Sequence, residues 1–495
     1  MKEKSKPKIS TLAELKKSGY QSRGIKQEIR ENLILAFSEK SNPFEGIHGF
    51  DDSVIPELQS ALLAKHNILF LGLRGQAKTR IARMITGLMD PYIPYIKGSE
   101  IFEDPFHPIT RASIDLIKEK GDETEIEWLE AEKRYTEKLA TPDVTVADLI
   151  GDLDPIKAAN KKLDYGDERV IHFGLIPRSH RGIFVINELP DLQARIQVAL
   201  FNILQEGDVQ IRGFKLRLPL DILFVFTANP EDYTNRGSIV TPLKDRIDSQ
   251  ILTHYPRELD VAMRITEQEA IMDPLQQKNI QVPDLLKRLV ERVAFVARQS
   301  ELIDQKSGVS ARLTIAALEN LVSTAERRAL LSGQKSTVAR VSDLQGILPA
   351  ITGKVELVYE GELEGAATVA QNLISKAIRE EFLALFPDPE KLKRLKQTNP
   401  YQQSIAWFSE GNSIDLLFDH DDKSFSRILS AIPGLERVLN AYVRDLPKEH
   451  KPVYLEFLLY GLAECSQLSR HKVEKSVQFK DLMSGMFNFS SGEEN

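Results

Sequence analysis

His66-Asn67-Ile68-Leu69-Phe70-Leu71-Gly72-Leu73-Arg74-Gly75-Gln76-Ala77-Lys78-Thr79 passes from an unbroken apolar run into a glycine-containing loop that ends in Lys-Thr. The spacing approaches G-x-x-x-x-G-K-[ST], in which a buried strand delivers a loop whose backbone N–H groups surround phosphate oxygens. On this reading Gly72, Arg74, Gly75, Gln76 and Ala77 form the cradle, Lys78 places a cation near the terminal phosphates, and Thr79 reaches a magnesium ion from the start of a helix that continues through Arg80. Ala77 stands where the motif has its second glycine. The other reading of the loop is a strand-to-helix turn with a solvated Lys78.

Two further apolar runs end in polar residues. Arg181-Gly182-Ile183-Phe184-Val185-Ile186-Asn187-Glu188 reads as a buried strand whose last residues face a ligand crevice. Glu188 is placed to polarise an attacking water, while Asn187 occupies the metal-side position where an aspartate is usual. Ile222-Leu223-Phe224-Val225-Phe226-Thr227-Ala228-Asn229-Pro230 repeats the pattern, with Asn229 able to orient the water or touch a γ-phosphate. Strands leading into Lys78, Glu188 and Asn229, alternating with helical stretches, predict an α/β fold with a parallel sheet covered by helices on both faces.

With these motifs in hand, the chain resembles the AAA+ ATPases, and within them the magnesium-chelatase subunit I and MoxR-like group, over residues 25 to 350. The resemblance is strongest in Thr145-Val146-Ala147-Asp148-Leu149-Ile150-Gly151-Asp152-Leu153-Asp154 and in Gly174-Leu175-Ile176-Pro177-Arg178-Ser179-His180-Arg181-Gly182. It implies a P-loop AAA+ core followed by an α-helical lid, ATP with Mg2+ as ligands, and ATP hydrolysis. Val209-Gln210-Ile211-Arg212-Gly213-Phe214-Lys215-Leu216-Arg217 would be a hairpin whose tip can touch a partner. In Thr241-Pro242-Leu243-Lys244-Asp245-Arg246-Ile247, Arg246 would be the arginine finger for ATP bound by a neighbour, which implies a homo-oligomeric ring, expected as a hexamer. The other reading of Arg246 is a local pair with Asp245 or Asp248. In Gly308-Val309-Ser310-Ala311-Arg312, Arg312 would contact nucleotide from the lid. Motors of this type act on a partner bearing a von Willebrand factor A domain, which they remodel or load with metal.

Asn187 removes a negative charge beside magnesium and leaves a neutral carbonyl acceptor, so slow hydrolysis is expected. One alternative is a nucleotide-dependent scaffold that does not hydrolyse. A second is a nucleic-acid translocase of MCM-like type, against which the net charge of −7 weighs.

Charged residues make up 28 % of the 495, and no run is apolar over the length needed to cross a bilayer, so a cytoplasmic protein is expected. Cys465 is the only cysteine, which excludes intrachain disulfides, and the nine histidines show no zinc spacing. The landmarks divide the chain into a tail and helix over 1–45, a nucleotide-binding core over 46–256, a helical lid over 257–358 and a helical accessory region over 359–495. Two insertions interrupt the core. Ile114 to Leu139 is charged and reads as a solvated helix or helix pair, and Leu153 to Phe173 carries a polar tip at Asp164-Tyr165-Gly166-Asp167. In the accessory region, Ile414–Phe418, Phe425–Ile432, Leu435–Leu446 and Val453–Leu468 are expected as helices with one apolar face.

Overall fold

The apolar runs that end at Leu71, Asn187 and Ala228 pair side by side as a parallel sheet in a computed structural model of the chain. The structure describes residues 6–154, 156–157, 167–211, 217–230, 238–417, 419–473 and 476–482. The chain divides into two compact units, Met1–His254 and Tyr255–Asn495.

In the first unit the sheet strands are β1 (Ile68–Leu71), β2 (Tyr135–Leu139), β3 (Gly182–Asn187), β4 (Ile222–Ala228) and β5 (Ser249–Leu252), in the spatial order β5-β1-β4-β3-β2. All four pairings are parallel, with Ile68 beside Val225 and Ser249, Ile222 beside Gly182, and Leu139 beside Asn187. Both faces are apolar, as a sheet covered on two sides requires. Leu69, Phe184, Ile186, Phe224 and Phe226 bury against one layer. Ile68, Phe70, Ile183, Val185, Leu223 and Val225 bury against helices α1 (Ile25–Ser38), α2 (Val54–Leu63) and α3 (Lys78–Met84) on the other.

The stretch Ile114–Leu139 is not a helix or helix pair as expected. A helix covers Arg111–Lys120, then Ile126–Glu130 pairs antiparallel with Tyr92–Ile96, and β2 joins the main sheet as its edge. The edge position explains the misreading. β2 is half-buried along most of its length, so its Glu137 and Lys138 do not interrupt a core, and the charge that suggested a solvated helix is the charge edge strands carry. Asp208–Gln210 and Arg217–Pro219 form the paired strands expected of the hairpin, whose tip lies outside the described residues, as does the tip at Asp164–Gly166.

In the second unit one apolar cluster extends from Ile280 to Phe479. It draws on α4 (Asp284–Ala297), α5 (Arg312–Leu331), α6 (Ala366–Leu385) and α7 (Lys451–Glu464), so residues on both sides of position 358 share a single core. The expected helix at Ile414–Phe418 is instead a strand, β6 (Ile414–Leu417), which with β7 (Leu468–Val473) and β8 (Ser476–Asp481) forms an antiparallel sheet. Its alternation decides this: Ile414 and Leu416 are buried while Asp415 and Leu417 are exposed.

Each unit buries an ionisable group whose protonation opposes the other's. In the first, burial and the adjacent Arg181 push the His180 imidazole down to about 3, and its Nδ1 accepts the Asp221 backbone N–H at 3.0 Å. Below the ordinary value of 6.5 the unfolded chain therefore takes a proton that the folded unit refuses, and stability falls as pH falls from there toward 3. In the second, burial pushes the Glu456 carboxyl up to about 7, although it accepts the Val341 and Ser342 N–H groups at 2.7 and 3.1 Å. Here the folded unit keeps a proton that the unfolded chain releases above 4.5, so stability falls as pH rises from 4.5 to 7. The two tryptophans, Trp128 and Trp407, fall one in each unit and allow the slopes to be read separately. In single-tryptophan variants, His180→Asn is expected to flatten only the acid-side loss seen at Trp128, and Glu456→Gln only the opposite slope seen at Trp407. Unchanged slopes in these variants would contradict the assignment.

Candidate functional site

The loop after β1 is shaped by its own close contacts. A Cβ on Gly72 would overlap the Thr253 hydroxyl and the Gln76 side chain, so no larger residue fits there without displacing both. Gln76 is itself buried and accepts from Thr253 Oγ1 at 2.7 Å, which ties the loop to the residue following β5. Gly75 and Ala77 both take left-handed backbone conformations, with φ of 71° and 57°. At Ala77 this conformation costs about 1 kcal/mol that glycine would not incur, and it starts α3 with N–H groups directed into the loop.

Lys78, the first residue of α3, is 7 % exposed, and its ammonium donates to the carbonyls of Gly72 and of Leu73, the latter at 3.0 Å. A buried ammonium bonded to loop carbonyls is a charge held ready for an anionic ligand in the same loop. Arg74 is exposed on the loop and Arg80 half-buried on α3.

At the next residue, Thr79 Oγ1 donates to Asn187 Oδ1 at 3.3 Å, and Thr227 Oγ1 donates to the same oxygen at 3.1 Å. Asn187 Nδ2 donates to Glu137 Oε1 at 2.6 Å. Glu188 follows in a left-handed conformation, φ 55°, with its N–H on Thr227 Oγ1 at 3.1 Å. Because β4 lies between β1 and β3, Asn229, the residue after β4, sits between the Lys78 loop and Glu188 along the carboxyl edge of the sheet. Asn229 is 3 % exposed. The crevice beyond the carboxyl ends of such strands is where open α/β sheets bind ligands.

The two oxygens at the foot of this crevice, a threonine hydroxyl and an amide carbonyl, are both neutral. They suit a Mg2+ ion that keeps several waters and takes its negative charge from phosphate. Among the described residues no group of three or more His, Cys, Asp or Glu could enclose a metal by itself.

Arg246 is not paired with Asp245 or Asp248. Its Nε donates to Gln205 Oε1 at 3.0 Å and Nη1 to the Pro242 carbonyl at 2.7 Å, with the guanidinium 5.0 Å from the centre of the Phe201 ring. Asp248 instead accepts the Asn67 N–H at 2.8 Å. Arg312, in the second unit, is an exposed residue at the start of α5 whose N–H reaches Ser310 Oγ at 3.1 Å.

Sequence reasoning did not single out Thr227 or Glu137. Thr227 carried a signal, as the one polar residue inside an otherwise apolar strand. Glu137 was hidden in the charged stretch taken for an insertion.

The parallel sheet, the Lys78 loop and the polar ends of β3 and β4 have the form of a P-loop nucleotide-binding core, and the chain is similar to magnesium-chelatase subunits. The magnesium-chelatase 38 kDa subunit of Rhodobacter capsulatus is 23 % identical over 240 residues, 47 % of this chain and 61 % of that protein. Its counterpart in Cereibacter sphaeroides is 26 % identical over 201 residues, 40 % of this chain and 54 % of that protein. The chain thus spans between half and two thirds of the length of these relatives. No family model matches. Among solved structures, one of the complex between the BchI and BchD subunits of magnesium chelatase gives 19 % identity and a TM-score of 0.33, covering 65 % of this chain and 98 % of that one. Among the described residues no helix is long and apolar enough to cross a membrane.

Proposed function

We propose that the chain is an ATP-hydrolysing AAA+ motor of the magnesium-chelatase I and MoxR-like type. The observation that carries this reading is the convergence of the Lys78 loop, the Thr79–Asn187 hydroxyl–amide pair, Glu188 and Asn229 on one edge of the sheet. Gly72, Arg74, Gly75, Gln76, Ala77 and Arg80 hold the triphosphate with Lys78, whose ammonium exchanges the Gly72 and Leu73 carbonyls for phosphate oxygens. Thr79 and Asn187 hold Mg2+, which neutralises charge on the phosphates when bound. Glu188 takes the proton of the attacking water and Asn229 orients that water. Arg246 of a neighbouring copy and Arg312 complete the site in a ring, expected as a hexamer. The client is a partner protein with a von Willebrand factor A domain, remodelled or loaded with metal in the cytoplasm. The relatives named as magnesium-chelatase subunits support that direction.

Steady-state phosphate release with ATP and Mg2+, run beside Lys78→Ala and with and without DNA, tests the reading. Turnover that is indifferent to DNA and lost with nucleotide binding in Lys78→Ala is the expected result. Asn187 favours one other reading, a scaffold that binds nucleotide without hydrolysis, and binding without turnover would select it. Turnover stimulated by DNA and suppressed by salt would replace both with a nucleic-acid translocase.

A further inference from the structure

Asn187 leaves the metal side of the site without its usual carboxylate, yet a carboxylate lies one hydrogen bond away. Glu137 comes from the neighbouring strand β2, two residues before Leu139, the register partner of Asn187. Parallel pairing puts Glu137, Leu139, Val185 and Asn187 on one face of the sheet, the face covered by α3. Glu137 Oε1 accepts from Asn187 Nδ2 at 2.6 Å, and Glu137 Oε2 accepts from Arg83 Nε on α3 at 2.9 Å and from the Tyr135 hydroxyl at 3.1 Å. Burial and the neighbouring Glu137 charge hold the Tyr135 phenol well above its ordinary value, so it stays a donor.

We propose that Glu137 is a positioning residue that, through Asn187, supplies the orientation and the negative charge that an aspartate at 187 would provide. The proposal rests on the reading of this edge as a magnesium–nucleotide site. Both Glu137 oxygens already accept, Oε1 from Asn187 Nδ2 and Oε2 from Arg83 and Tyr135, and this holds the amide of Asn187 with its NH2 outward. Oδ1 then necessarily faces Thr79 and Thr227, as observed at 3.3 and 3.1 Å. Without Glu137 both threonine hydroxyls could accept as well as donate, and the amide could flip to present N–H groups where a cation belongs. The same contact explains why asparagine stands at 187. Asn187→Asp would replace the Nδ2 donor that faces Glu137 Oε1 at 2.6 Å with a second acceptor oxygen, acceptor against acceptor.

This makes the pair reciprocal: either position can hold the acid, but not both. Asn187→Asp, Glu137→Gln and the double variant form a cycle with two readouts. The first is thermal unfolding without nucleotide. Asn187→Asp alone is expected to lower Tm by about 3 °C, and adding Glu137→Gln to restore it. The second is the Mg2+ concentration that half-saturates binding of a fluorescent ATP analogue. Glu137→Gln alone is expected to raise it about 10-fold, the usual scale for losing the partner of a metal ligand, and the double variant to return it to within about 2-fold of the parent.

Single effects that simply add in the double variant, or an Asn187→Asp chain with unchanged Tm, would overturn the proposal. If the unaltered chain fails to bind the analogue, the nucleotide reading of the site falls. The Tm cycle would still report on the Glu137–Asn187 pairing, so the two failures are distinguishable.

Discussion

Glu188→Gln is expected to bind ATP as the unaltered chain does while its turnover falls by about 10²- to 10⁴-fold, the range for removing a positioned general base. Glutamine keeps the length and shape of the side chain and can still accept a hydrogen bond from water, but it cannot take the proton. The backbone at 188 is left-handed, φ 55°, and that strain is the same for either residue, so folding is not expected to change. The N–H of residue 188 stays on Thr227 Oγ1, which in turn donates to Asn187, so the metal side is undisturbed. Binding of a fluorescent ATP analogue and steady-state phosphate release, measured on the same preparation, separate the two effects. Unchanged turnover would remove Glu188 from the chemistry and direct attention to another base.

The second large effect concerns stability. Arg134, just before β2, donates Nη1 and Nη2 to Glu28 of α1 at 2.8 and 2.6 Å, with both side chains 2 % exposed or less. Its Nε donates to the Arg181 carbonyl at 2.8 Å, and Glu28 also accepts the Asp90 N–H at 2.6 Å. Arg134→Met therefore strands a buried carboxylate, and breaking a pair of this kind costs about 3–5 kcal/mol. Exposed pairs such as Lys97–Glu125, with both partners over half exposed, are worth little by comparison. Urea unfolding followed at Trp128 measures the loss in the first unit. Adding Glu28→Gln to Arg134→Met removes the stranded charge and should recover part of it. A loss below about 1 kcal/mol in the single variant would mean that water reaches Glu28.

The parts of this site that were legible in the sequence are those written in contiguous residues. Gly72 to Thr79 carries its own spacing, and Glu188 and Asn229 end strands whose apolar runs are unbroken. Glu137 was not legible because its role depends on which strand lies beside β3, and strand order is a long-range property. Its edge strand, Tyr135–Leu139, carries one glutamate and one lysine in five residues and has no apolar run to announce it. The asparagine at 187 did hold a clue, since a missing acid asks for a replacement nearby. In the second unit the four residues Ile414–Leu417 were too few for periodicity to separate strand from helix. The shared core across position 358 was equally invisible, because landmarks along the chain do not report which apolar faces later meet.

That shared core couples the elements of the second unit mechanically. Arg312 opens α5, and Leu313, Ala317, Leu318 and Leu321 along that helix pack in the same cluster as Phe382 of α6, Phe457 of α7 and Phe479 of β8. Close-packed interiors have low compressibility and pass strain on without absorbing it. A displacement of α5 is therefore passed to the sheet formed by β6, β7 and β8, far along the chain from Arg312.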